Sequence, residues 1–133
     1  MEIRTLLLED DNNTRALLES ILTDRGHRVA GYASPLLCPL YKKPSCQCEK
    51  TLPCVDFLIT DNQMPGMTGL QFIQMQAERG CKLDTDNKAI FSGFWRDEDI
   101  ALAESFGCRI FPKPFDLETF NNWLDQGEQR LKR

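Results

Sequence analysis

Apolar residues in this chain gather in short runs, and each run ends on acids, a hydroxyl or proline. Ile3 to Leu8 is the first, closed by Glu9-Asp10-Asp11. A short apolar run bounded by turn residues reads as a strand buried in a sheet. Val55 to Thr60 is another and leads to Asp61. Lys88 to Ser92 follows the same rule, as does Arg109-Ile110-Phe111, which Pro112-Lys113-Pro114 closes. His27 to Tyr32 is less apolar and reads as an edge strand. Its histidine, at the strand's start, reads as solvated or capping.

Helical periodicity fills the gaps between these runs. Asn12 and Asn13 are good caps, and Leu17, Leu18, Ile21 and Leu22 then share one helical face up to a stop at Gly26. Thr68 caps a helix with Leu70, Phe72, Ile73 and Met75 or Ala77 available for burial, ended by Gly80. Asp97 to Phe106 is a short helix before Gly107. Asp116 caps the last helix, which buries Phe120, Trp123, Leu124 and Leu131. Ser34-Pro35 also has the form of a helix start, but Pro39 and Pro44 cut that helix short. Strands and helices that alternate with short connections predict an α/β fold. The pattern predicts a five-stranded parallel sheet, doubly wound, with helices on both faces.

Composition narrows this only slightly. The 133 residues suit a single domain spanning 1–133. A net charge of −4 argues against a nucleic-acid surface. No apolar run approaches the length of a membrane span, and the start of the chain lacks the regions of a signal peptide. A cytoplasmic protein with reduced cysteines is expected.

The chemistry collects at one rim. In a parallel sheet of this kind the C-terminal strand ends share an edge, and ligands bind there. Glu9 and Asp10 end the first strand, Asp61 the third, Ser92 the fourth and Lys113 the fifth. Each has a plain alternative as a solvated acid, a capping serine or a surface lysine. Their joint placement at strand ends is what singles them out.

Four segments, Leu7-Leu8-Glu9-Asp10-Asp11, Asp61 to Gly69 (DNQMPGMTG), Phe91-Ser92-Gly93 and Lys113-Pro114-Phe115, agree in order and spacing with one family. Together they resemble the CheY-like receiver domain of bacterial two-component response regulators, which implies the strand order 2-1-3-4-5. The resemblance implies that Asp61 is a phosphoacceptor, served by a sensor histidine kinase or phosphotransfer protein. It implies that Glu9 and Asp10 hold Mg²⁺ together with Asp61 and the backbone carbonyl of Gln63. Ser92 and Lys113 would contact the phosphoryl group, with Gly93 leaving room for it, and a cis peptide would precede Pro114. Mg²⁺ suits this donor set because it takes oxygen ligands in an octahedron and keeps several waters. Phosphoryl transfer chiefly needs positioning and charge neutralisation.

The resemblance breaks in two places. The family's aromatic residue three positions before the lysine is Ile110 here, and Phe111 falls on the opposite strand face. The usual second helix gives way to a Cys-rich segment, 38–54, carrying Cys38, Cys46, Cys48 and Cys54. On this topology Cys81 lies near Cys54. Such a cluster in the cytosol reads as a Zn²⁺ or redox site, the plain alternative being unliganded thiols. Cys108 reads as a small buried residue.

The expected function is therefore a phosphorylation-switched signalling domain acting on a downstream protein, not an enzyme with an outside substrate. It would catalyse its own aspartyl phosphorylation and dephosphorylation. The chain stops just after the last helix, which suggests a single-domain regulator or an excised receiver. The alternative is a metal- or redox-sensing module on the same scaffold, with 38–54 as its input. A flavodoxin-like cofactor binder ranks last, because three acids after the first strand would repel a phosphate.

Overall fold

The computed structural model describes residues 2–34, 36, 55–64, 66–80 and 83–131. Five strands form one sheet: β1 (Ile3–Leu8), β2 (His27–Tyr32), β3 (Phe57–Asp61), β4 (Lys88–Ser92) and β5 (Arg109–Pro112). Their order is β2-β1-β3-β4-β5, and every pairing is parallel. The helices are α1 (Asn12–Asp24), α2 (Gly69–Glu78), α3 (Asp97–Phe106) and α4 (Leu117–Leu131). This is the doubly wound fold expected. The Cys-rich segment, with Cys38, Cys46, Cys48 and Cys54, lies outside the described residues, as does Cys81.

Two apolar layers sandwich the sheet, and strand alternation decides which residue joins which. Leu6, Leu8, Leu58 and Ile90 pack with Leu70, Phe72 and Ile73 of α2 and Ala103 of α3. Leu7, Phe57, Ile59, Ala89, Phe91 and Phe111 pack with Leu18 and Leu22 of α1 and with Phe120, Trp123 and Leu124 of α4. The second layer is largely aromatic. Phe91 stacks on Phe111 with centroids 4.9 Å apart, and Phe115 and Phe120 meet Phe91 edge-on. Offset-stacked and edge-to-face pairs are the favoured ring geometries. All five residues of β3 and of β4 are buried, as central parallel strands require.

Three local expectations need correction. Asp11, not Asn12 or Asn13, caps α1 by accepting from the backbone N–H of Thr14 at 2.8 Å. Leu17 is 52 % exposed, so the buried stripe of α1 is narrower than its run of leucines. His27 is buried rather than solvated. Its Nδ1 lies 2.8 Å from Thr5 Oγ1 and its Nε2 2.6 Å from Glu128, against the ring of Phe57. Elsewhere, Thr68 caps α2 in a reciprocal box with Gln71. In α2 Gln76 is buried while Ala77 is exposed and Met75 packs only in part.

Candidate functional site

The register brings the predicted residues to one edge. Leu8 pairs with Thr60, Asp61 with Phe91, and Ser92 with Pro112. Glu9 and Asp10 therefore follow β1 beside the end of β3, and Lys113 leaves β5 beside Ser92. Backbone bonds hold these exits: Glu9 N–H donates to the Tyr32 carbonyl at 3.0 Å, Asn62 N–H to Phe91 at 2.8 Å, and Lys113 N–H to Ser92 at 2.9 Å.

The loop after Asp61 is held just as closely. Gly69 N–H donates to the Asn62 carbonyl at 3.1 Å, and the Asn62 side chain accepts from Leu70 N–H at 3.2 Å. A Cβ added at Gly69 would stand 2.5 Å from the Asp61 carbonyl oxygen, so only glycine lets α2 start this close to β3. Gly66, at φ +84°, supplies the left-handed turn between them. Gln63 is exposed on this loop.

At the rim, oxygens of Glu9, Asp10 and Asp61 all come within 4.8 Å of one another. Glu9 and Asp61 are buried and Asp10 is exposed. Lys113 Nζ lies 2.6 Å from Glu9 Oε1 and 3.4 Å from Asp61 Oδ1. The other Glu9 oxygen accepts from Asp11 N–H at 3.1 Å. The Asp11 carboxylate is turned away into its capping role. The Lys113–Pro114 peptide is cis, as expected.

The electrostatics follow from this crowding. Burial, then the charge of Glu9, push the Asp61 carboxyl up to about 7, although Lys113 opposes the shift. Partial burial works against the Lys113 charge, but Glu9 and Asp61 outweigh it and hold that amine above its ordinary value. Among the described residues Lys113 is the one cation paired with these carboxyl groups, which leaves the three acids an excess of negative charge. A hard divalent cation with oxygen ligands fits that excess. Glu9, Asp10 and Asp61 are the residues that would hold it.

Ser92 is at hand but engaged. Its hydroxyl donates to the Phe94 carbonyl at 2.8 Å and accepts from Phe94 N–H at 3.2 Å. Phe94 itself is 62 % exposed. A Cβ at Gly93 would meet only Lys113 Cβ, at 3.8 Å, so the space beside Ser92 is open. Ile110 and Phe111 lie on opposite faces, as their spacing predicts. Trp95 packs on the Ile110 side, and its indole N–H reaches the Phe111 carbonyl at 3.4 Å. Cys108 is buried, as expected, and its thiol is pushed up to about 11 chiefly by burial.

Two contributors escape the sequence. Asn62 reads as an ordinary turn residue, yet it is buried and ties the loop to α2. Arg15 reads as a helix-surface cation, yet its Nη1 donates to the Glu9 carbonyl at 2.8 Å. Its one hint is position, since a cation in the first turns of a helix runs against the macrodipole.

A doubly wound sheet with three acids, a lysine and a serine at its C-terminal rim defines a class: the α/β domain built around an acidic pocket at the strand ends. Comparison with protein-family profiles and with curated protein sequences finds no match. Solved structures of similar shape are numerous, and receiver domains are among them. The BeF3-activated DrrB receiver domain is 16 % identical, with all of both chains covered and a TM-score of 0.76. A response regulator receiver domain protein from Clostridium thermocellum is 18 % identical, covering 98 % of this chain and 97 % of that one at 0.75. The chemotaxis protein CheY4 of Vibrio cholerae is 22 % identical, covering 95 % and 98 % at 0.71. This chain has the fold of the response-regulator receiver domains. Among the described residues, no helix is long and apolar enough to cross a membrane.

Proposed function

We propose that this chain is a phosphorylation-switched signalling domain of a two-component relay, with Asp61 as its phosphoacceptor. The observation that carries the reading is the pocket itself: a buried carboxyl group at the end of β3, flanked by two further acids and reached by Lys113 at 3.4 Å. The donors would be a phosphohistidine on a sensor kinase or phosphotransfer protein, or a small acyl phosphate.

The residues divide the work as follows. An Asp61 oxygen bonds to phosphorus while the phosphorus–nitrogen bond to the histidine breaks. The imidazole leaves with the bonding pair and takes up a proton. Glu9, Asp10, Asp61 and the Gln63 carbonyl would hold Mg²⁺, which when bound supplies the positive charge that keeps Asp61 ionised and balances the phosphoryl oxygens. Lys113, now paired with Glu9, is placed to turn toward a phosphoryl oxygen. Ser92 would exchange the Phe94 carbonyl for the same group, so modification at Asp61 would release the loop after β4. The signal would then pass by contact to a downstream protein.

Intact-mass measurement with Mg²⁺ and acetyl phosphate tests this. The wild type should gain one phosphoryl group, and Asp61→Asn should gain none while keeping its fold. Stoichiometric phosphorylation of the Asn variant at another residue would sink the assignment.

A further inference from the structure

We propose that Arg15 is a positioning residue for the cation site: its guanidinium fixes the Glu9–Asp10 peptide, and thereby the Asp10 carboxylate opposite Asp61. This rests on the reading of Glu9, Asp10 and Asp61 as that site.

Glu9 is fixed at almost every polar atom. Its N–H donates to Tyr32 at 3.0 Å, and its two carboxylate oxygens are taken by Lys113 and by Asp11 N–H. Its carbonyl accepts from Arg15 Nη1 at 2.8 Å. That last bond is the one that sets the plane of the peptide leading into Asp10. The exposed Asp10 is then aimed by its backbone rather than by packing around its side chain. Mg²⁺ demands near-ideal octahedral geometry at short distances, so a small swing of this peptide costs affinity.

Arg15 is itself locked in place. Nη2 donates to Asn12 Oδ1 at 2.6 Å, and the side chain is half-buried. Its stem passes over β2 at Gly31, where an added Cβ would lie 3.6 Å from Arg15 Cδ. A planar fork that makes two bonds in fixed directions is what a lysine cannot imitate. The position also works against general electrostatics. A cation in the first turns of a helix is disfavoured by the macrodipole, and a cation beside a cation site repels the metal. Geometry, not charge, is what Arg15 contributes.

The test measures Mg²⁺ affinity of the full chain by calorimetry, with unfolding in urea and circular dichroism of the metal-free proteins alongside. Arg15→Ala should weaken Mg²⁺ binding about tenfold, the scale of one hydrogen bond from a charged group. Arg15→Lys should weaken it nearly as much although it keeps the charge. Asn12→Ala, which frees one side of the fork, should fall between. The Lys variant should unfold at nearly the wild-type urea concentration, so a merely structural role would leave its affinity unmoved. Wild-type affinity in Arg15→Lys would overturn the proposal, as would equal affinity in Arg15→Ala when Asp10→Ala binds weakly. If wild type and Asp10→Ala bind Mg²⁺ alike, the site reading fails, and the role of Arg15 fails with it. Should Arg15→Ala not fold, the Lys and Asn12 variants decide.

Discussion

Replacing Asp61 by asparagine should stabilise the metal-free fold, and the gain should depend on pH. In the folded protein the Asp61 carboxyl is pushed up to about 7, from an ordinary 3.8, first by burial and then by Glu9. Between those values the folded state holds a proton that the unfolded chain has released. Stability therefore falls as pH rises through that window and levels off above about 7. Asparagine keeps the shape and cannot ionise, so it escapes the loss. At about 1.4 kcal/mol per pH unit the ceiling is roughly 4 kcal/mol. The pocket opens to water at Asp10, and solvent screening there brings the expected gain down to about 2 kcal/mol.

Urea unfolding in EDTA, run from pH 4 to pH 8, measures it. The two proteins should unfold together at the acid end and separate steadily toward pH 8, with Asp61→Asn the more stable. Added Mg²⁺ should close the gap, because binding to the folded wild type stabilises it by mass action and the variant has lost a ligand. Equal stability at pH 8 would refute the argument. An advantage that persists undiminished at pH 4 would refute it too, since its origin could not then be the Asp61 charge.

Three further outcomes follow from other contacts. Lys113→Met should destabilise the metal-free protein by about 3 kcal/mol in urea, because it leaves the buried Glu9 carboxylate without its cation. Gly127→Ala should cost about 2 kcal/mol despite alanine's better helix propensity. Its Cβ would sit 2.5 Å from the Phe57 ring, and overpacking of a core is expensive. Glu128→Gln should lower stability at neutral pH by about 1 to 3 kcal/mol. Burial alone would raise the Glu128 pKa, but the bonds from Arg25 and His27 win and hold it below 4.5. The wild type's advantage should thus be complete above 4.5 and fade as pH falls through the lowered value, which parallel acid titrations of thermal unfolding will show.

The strands and the identity of the rim residues were legible because both rest on local signals; the order of the strands came with the resemblance to receiver domains. Apolar runs of five or six residues ending in polar ones mark parallel strands, and parallel strands with short crossovers admit few topologies. What could not be read are contacts between residues far apart in sequence. His27 looked solvated because its partner Glu128 stands 101 positions away, and nothing near His27 announces it. Leu17 looked buried because helical spacing gives a face but not its width; Leu18 and Leu22 fill the layer and leave Leu17 outside. Asn12 and Asn13 looked like the caps of α1, and Asp11 was passed over, because a capping role is settled by backbone angles, not by residue type.

The same division bears on how a signal would leave the pocket. Ile110 was legible as a departure from the receiver pattern, and its place under the α2–α3 layer bears that spacing out. The sequence does not announce that Trp95 packs into the same layer. It lies three residues past Ser92 and is joined to β5 through the Phe111 carbonyl. Ser92 holds the first turn of that loop through both atoms of its bond pair with Phe94. If the hydroxyl turns to a phosphoryl group on Asp61, those bonds break, and each is worth about 1 kcal/mol. The indole bond, at 3.4 Å, is a weak one, whereas Arg96 is tied to α3 by Asp99 and by the Ile100 N–H, so the release falls on Phe94 and Trp95. On the proposed reading, the loop after β4, with an exposed phenylalanine and a half-packed tryptophan, is then released by chemistry at Asp61.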